Sequence, residues 1–131
     1  MYYYTNYEVY YAALSMIGEV ESKGDTSDFE ERASYILATC CANCRNLDKK
    51  VRELNSYPPQ SDFSSLYLDL EDDFPLCDIL SAPVSAYLAS MLVMDENPTL
   101  SEALYDRYCD SIATIGATWS CSAIDDIYFN D

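Results

Sequence analysis

The sequence has no histidine, seven lysines and arginines, and three glycines in 131 residues. Without histidine there is neither the usual neutral metal ligand nor the usual base for a serine or cysteine nucleophile. Serines are plentiful, but none stands in a nucleophile elbow. Gly18, Gly24 and Gly116 lie far apart, so no glycine-rich phosphate loop exists. Seven bases against 23 acids leave a net charge of −16, which excludes a basic nucleic-acid-binding surface. Long apolar runs are also missing. The uncharged stretch Ile79–Met94 is too short and too serine-rich to span a bilayer. Met1 is followed by Tyr2, Tyr3 and Tyr4, with no positive leader region. The setting expected from this is cytoplasmic, with the six cysteines reduced.

What is present is apolar, aromatic and acidic. Half the residues are hydrophobic, enough for one domain over 1–131 to bury a core. The acidity is uneven: residues 1–60 sum to −3, whereas residues 61–131 hold 14 acids and only Arg107 as a base. Surface acidity of this kind favours solubility and repels other anions.

The chain is organised around two consecutive segments, 74–94 and 97–117. In the first, Leu80, Val84, Tyr87, Leu88 and Met91 recur at helical spacing while Ala82, Ala86, Ala89 and Val93 fill the other faces. A helix apolar all round is buried. Asp95, Glu96, Asn97 and Pro98 break it, because the residue before proline avoids helical angles. Thr99 to Glu102 reads as a capping box that restarts a helix. Leu100, Leu104, Tyr108, Ile112 and Ile115 then form one stripe, which predicts a helical hairpin.

Upstream, Thr5 and Glu8 form a capping box for a first helix whose expected inward face is Tyr7, Tyr10, Leu14 and Ile17, with Gly18 at its end. Tyr2–Tyr4 reads either as a frayed terminus packed on its own domain or as an arm that adds to a neighbouring subunit. Ser27 and Glu30 open the longest pattern, with Phe29, Ala33, Ile36, Leu37, Cys40, Cys44, Leu47, Val51 and Leu54 on one face. It starts with acids and ends with bases, which suits the helix dipole. Alternation of Leu66, Leu68 and Leu70 predicts a short strand near 64–70. The tail, with Trp119, Ile124, Ile127, Tyr128 and Phe129 and few helix formers, is expected to be extended, either docked or swapped onto a neighbour. The fold predicted is thus mainly α: about four helices, a long second and a buried third, a strand near 64–70, an arm over 1–5 and an extended tail over 118–131.

Cys41 and Cys44 have the spacing of a redox or zinc pair. Zinc needs four ligands, and Cys77, Cys109 and Cys121 are solitary. Cys40 and Cys44 also fall on the apolar stripe, where cysteine acts as a small hydrophobe. Asp69, Glu71 and Asp73 alternate like a calcium loop, but Phe74 and Leu80 stand where glycine and glutamate are needed. No metal, cofactor or catalytic set is indicated.

The order of these segments resembles a known family, the small head–tail connector (head-completion, neck) proteins of tailed bacteriophages and prophages. Tyr7–Glu19, ending Ile17-Gly18-Glu19, is similar to their first helix, and Asp28–Leu54 to their long second helix. Asp72–Asp78 is similar to the acidic, apolar, Pro-Leu entry to their third helix. Ala82–Tyr108 is similar to their helix, acidic turn and closing helix, and Ile124–Tyr128 to their C-terminal strand. Tyr2–Tyr4 and the cysteines lie outside the pattern. The resemblance implies a non-enzymatic virion assembly protein in the cytoplasm of a bacterial host. It would form a ring with copies of itself between portal and tail proteins, with DNA passing through the channel and no membrane partner. The other reading of the residues is a small acidic adaptor that binds a basic protein.

In such a ring one patch meets a different patch on the next subunit. Arg45, Lys49, Lys50 and Arg52 gather four of the seven bases at the end of the long helix. Glu102, Asp106 and Asp110 form a like-charged stripe on the last. Together they are the candidate subunit interface.

Overall fold

The computed structural model describes the backbone of residues 1–18 and 27–129, and the side chains of 1–18 and 28–119. Among the described residues five α-helices follow one another: α1 (Asn6–Met16), α2 (Ser27–Asn43), α3 (Arg45–Asn55), α4 (Ser81–Val93) and α5 (Pro98–Phe129). A single 3₁₀ turn, Asp78–Leu80, leads into α4. The protein is mainly α, as expected.

The apolar-all-round segment is the centre of the core. α4 packs against α1, α2 and α5. Val84, Leu88, Ala89 and Leu92 are buried, and Leu88 is 0% exposed. Its small residues allow close approach, and serine hydroxyls tie it to α1 and α5. Ser85 Oγ donates to Val9 O of α1 at 3.2 Å. Ser101 Oγ of α5 donates to Ser90 O at 2.7 Å, which pins the α4–α5 hairpin.

The helix starts differ in one place from the expected caps. Thr5 caps α1, accepting from Glu8 N at 3.3 Å. Gly18 ends that segment at φ +67°, a left-handed conformation that suits glycine. The buried face of α1 is Asn6, Val9, Tyr10, Ala13 and Leu14, rotated from the expected one. The capping side chain of Ser27 lies outside the described residues. The cap of α5 lies two residues before Thr99, and the helix starts at Pro98. Asn97 Oδ1 accepts from Leu100 N at 3.1 Å with Pro98 at the first helical position. Asparagine caps strongly and proline is pre-set for that first position, so this pair prevails over the Thr99–Glu102 box.

The long second helix is two. Cys44, at φ −94° and ψ 3°, separates α2 from α3. Its N–H is shared between Cys40 O at 3.1 Å and Cys41 O at 3.2 Å, and Asp48 N bonds Cys44 O at 2.9 Å, so the ladder resumes at once.

No strand forms near 64–70; among the described residues the only β pairing is an isolated Thr5–Asp73 bridge. Leu68 and Leu70 are buried, whereas Leu66 is 72% exposed. Period two therefore marked a connection that lays two leucines on helices. Its backbone finds partners on other elements: Leu68 N donates to Ser34 O, Tyr7 N to Leu70 O and Asn6 N to Asp72 O. The N-terminal arm joins the same lattice. Phe74 N donates to Tyr4 O at 2.7 Å and Tyr2 N to Asp78 Oδ2 at 3.1 Å. The arm thus lies on its own domain, with the Tyr2 and Tyr3 rings exposed.

The expected extended tail is also corrected. α5 continues through Phe129 over 32 residues, a rod of about 48 Å at 1.5 Å per residue. The few helix formers in 118–129 are overridden by propagation from a well-packed start, since adding a turn to an existing helix is cheap.

Candidate functional site

The basic patch divides in two. Arg52 is 8% exposed and Asp48, one turn back, is 0% exposed. Arg52 Nε donates to Asp48 Oδ2 at 2.8 Å. Its other nitrogens donate to Pro58 O at 2.8 Å and Pro75 O at 3.3 Å. Asp48 also accepts from Gln60 Nε2 at 2.7 Å and from Cys77 N at 2.7 Å. One buried ion pair thus clamps both ends of the 56–77 connection to α3. A connection of that length without regular structure needs such anchoring.

Arg45 is likewise committed. Its guanidinium sits 4.0 Å from the Phe63 ring centre and donates to Phe63 O at 3.3 Å. Arg45 and Arg52 are therefore structural and leave the candidate interface. Lys49 remains exposed and Lys50 half-buried, and among the described residues neither is in an ion pair. Glu102, Asp106 and Asp110 are exposed on α5, as is Arg107.

Asp48 and Gln60 carry the clamp, and neither stood out in the sequence. A signal for Asp48 was there: four residues after Cys44, it falls on the inward stripe, with an opposite charge four residues on.

The cysteines follow the packing reading. Cys40, Cys41, Cys44 and Cys77 are buried and Cys109 is exposed. Among the described residues no group of three acidic or thiol side chains is placed to hold a metal ion. The hydrogen bond between Cys40 and Cys44, and then burial, hold the Cys40 thiol protonated; burial does the same for Cys41. Cys77 is pushed up to about 12, chiefly by burial and then by its contact with the Asp48 carboxylate. Tyr108, whose hydroxyl lies 3.7 Å from Cys44 Sγ, is raised by burial. Cys44 goes the other way, lowered by its hydrogen bond with Cys40, whereas Cys40, Cys41 and Cys77, held in the neutral form, are poor nucleophiles and poor ligands.

A second feature involves the 67–70 part of the connection. Tyr7, Glu30, Glu31, Tyr35, Tyr67 and Asp69 line an open groove of about 450 Å³. The Tyr35 and Tyr67 rings meet edge-on, with centres 5.1 Å apart. The Tyr7 phenol is raised above its ordinary range by its hydrogen bond to Glu30 and by that carboxylate's charge.

Comparison with protein-family models, with curated proteins and with solved structures finds no match.

Proposed function

We propose that the chain is a non-enzymatic head–tail connector subunit of a tailed phage or prophage, forming a ring between portal and tail. What supports this reading is that four of the five resembling segments, Tyr7–Glu19, Asp28–Leu54, Asp72–Asp78 and Ala82–Tyr108, follow in order along one helical domain, whereas Ile124–Tyr128, likened to a C-terminal strand, is helical. The subunit contact uses Lys49 and Lys50 of one copy and the Glu102, Asp106 and Asp110 stripe of the next. Arg107 is the only base on that stripe's helix, so the acids gain from an outside partner. Exposed pairs of this kind choose which faces meet more than they add affinity. The acidic second half suits a channel that DNA must cross without sticking.

The test is a search of the neighbouring genes for a portal protein, assembly with that protein followed by electron microscopy, and mass spectrometry of purified particles. Added density below the portal and a peptide signal in the particles are the expected results. Absence of both would end the connector reading.

A further inference from the structure

We infer that the groove between α1, α2 and the 67–70 segment is a docking site for an arginine side chain on a basic segment of another protein. Three tyrosines and three carboxylates line it: Tyr7, Tyr35 and Tyr67 with Glu30, Glu31 and Asp69. Among the described residues no lining residue is basic. The nearest base in sequence, Arg32, points elsewhere, pairing with Asp28 at 3.6 Å and donating to Met91 O at 3.3 Å. Tyr7 hydrogen-bonds Glu30 and Glu71 N donates to Asp69 Oδ1 at 3.0 Å, but among the described residues no base pairs with the three carboxylates.

The aromatic part is built and uncovered. Tyr35 is 51% exposed although its ring is set by the contact with Tyr67. Exposed tyrosines held in place are the usual material of protein interfaces. A planar guanidinium can stack on a tyrosine face while its fork engages a carboxylate, which an ammonium cannot do. A larger cavity of about 590 Å³ shares Tyr67 and Asp69 and runs on to Asp72 and Asp73. A segment leaving the first basin thus meets further carboxylates.

A second copy of this chain is a poor source of that arginine. Of its bases, Arg45 and Arg52 are tied into the connection and Arg32 into α2 and α4. Arg107 is the one exposed arginine among the described residues. With 23 acids and seven bases, the complement must come mainly from a different protein. The inference holds whether or not the chain builds a ring.

The probe is a short capped peptide carrying two arginines among glycines and serines. Its control has citrulline in both places, which keeps the planar hydrogen-bonding group and loses the charge. Binding to the full chain is followed by tyrosine-ring NMR signals and by calorimetry at low and physiological salt. The arginine peptide should shift the Tyr35 and Tyr67 signals, and the citrulline peptide should bind at least about tenfold more weakly, the scale of a lost charge-assisted bond. The pair Glu30→Gln with Glu31→Gln, and separately Tyr35→Leu, should each weaken binding by a similar factor. The pair Asp95→Asn with Glu96→Gln removes the same charge at the α4–α5 turn and should change it less than about twofold. Equal weakening by both charge pairs, or equal binding of the citrulline peptide, would reduce the effect to general attraction and overturn the inference. Sedimentation that changes in the groove variants without any peptide would show another copy seated there, and would overturn it as well.

Discussion

Replacing Asp48 by asparagine tests the clamp most directly. The Asp48 carboxylate meets only donors: Cys77 N at one oxygen, Arg52 Nε and Gln60 Nε2 at the other. An amide has one oxygen, so whichever way the new side chain turned, its NH₂ would face a donor. Arg52 would keep its two proline carbonyls but lose its counter-charge while still nearly buried. Each charge-assisted bond contributes about 1.5–3 kcal/mol. Breaking a buried pair costs about 3–5 kcal/mol in all, and these two figures overlap rather than add. We therefore expect a loss of about 3–5 kcal/mol, out of a total stability on the order of 5–15 kcal/mol. For a chain of this size that is a melting-point drop of roughly 10–20 °C. The assay is urea unfolding followed by circular dichroism, with linear extrapolation. Arg52→Met should cost a comparable amount. The double variant should cost at least about 1 kcal/mol less than the sum, because each change removes the same interaction. Lys49→Ala, one residue away and exposed, should lie within about 0.5 kcal/mol of the parent. An Asp48→Asn cost below about 1 kcal/mol, additive with Arg52→Met, would refute the clamp.

Four further outcomes are expected. Leu88→Asp buries an unpaired carboxylate at the centre of the hairpin and should abolish folding, at a cost of several kcal/mol; a soluble variant with an unchanged melt would contradict the buried-helix packing. Under native conditions near pH 8, iodoacetamide should modify Cys109 and spare Cys40, Cys41 and Cys77, whereas urea should open all of them; peptide mapping reads the difference. Because the Cys77 thiol is raised from 9.0 to about 12, the unfolded chain releases that proton first, so stability should be intact below about pH 9 and fall as pH rises from there toward 12; Cys77→Ala should flatten that slope in melts across the range. Reversing Lys49 and Lys50 to glutamate should block assembly on the portal, and changing Asp106 and Asp110 to lysine in the same chain should restore part of it, read by electron microscopy; undiminished assembly of the lysine reversal would exclude this interface.

Most of the helical architecture could be read along the chain, since it rests on local pattern. The charge-free run at 79–94 could only be a buried helix, and Leu88 at its centre is fully buried. The Thr5 cap and the left-handed Gly18 are likewise local matters of one hydroxyl and one missing Cβ. The acidic break at 95–98 was legible as a break, but its capping residue was Asn97 rather than Thr99, because neighbouring caps compete and their energies differ by little.

What the tertiary structure decided concerns partners distant in sequence. The alternation at 66–70 demanded burial of every second residue but could not say whether a strand or two helices would do the burying; α1 and α2 took that place. Arg45 and Arg52 read as surface bases because helical spacing does not reveal a connection folding back over α3. Once Pro58, Phe63, Pro75 and Cys77 lie against it, Arg52 is buried and half-buried Arg45 is held on Phe63, which leaves exposed Lys49 and half-buried Lys50 outside that packing. The groove of Tyr7, Tyr35 and Tyr67 draws on three separate segments, so no local pattern could show it. Local patterns set which residues must be buried or capped, because those demands act within a few turns. Which charges remain free depends on where the chain returns, and only the packed molecule settles that.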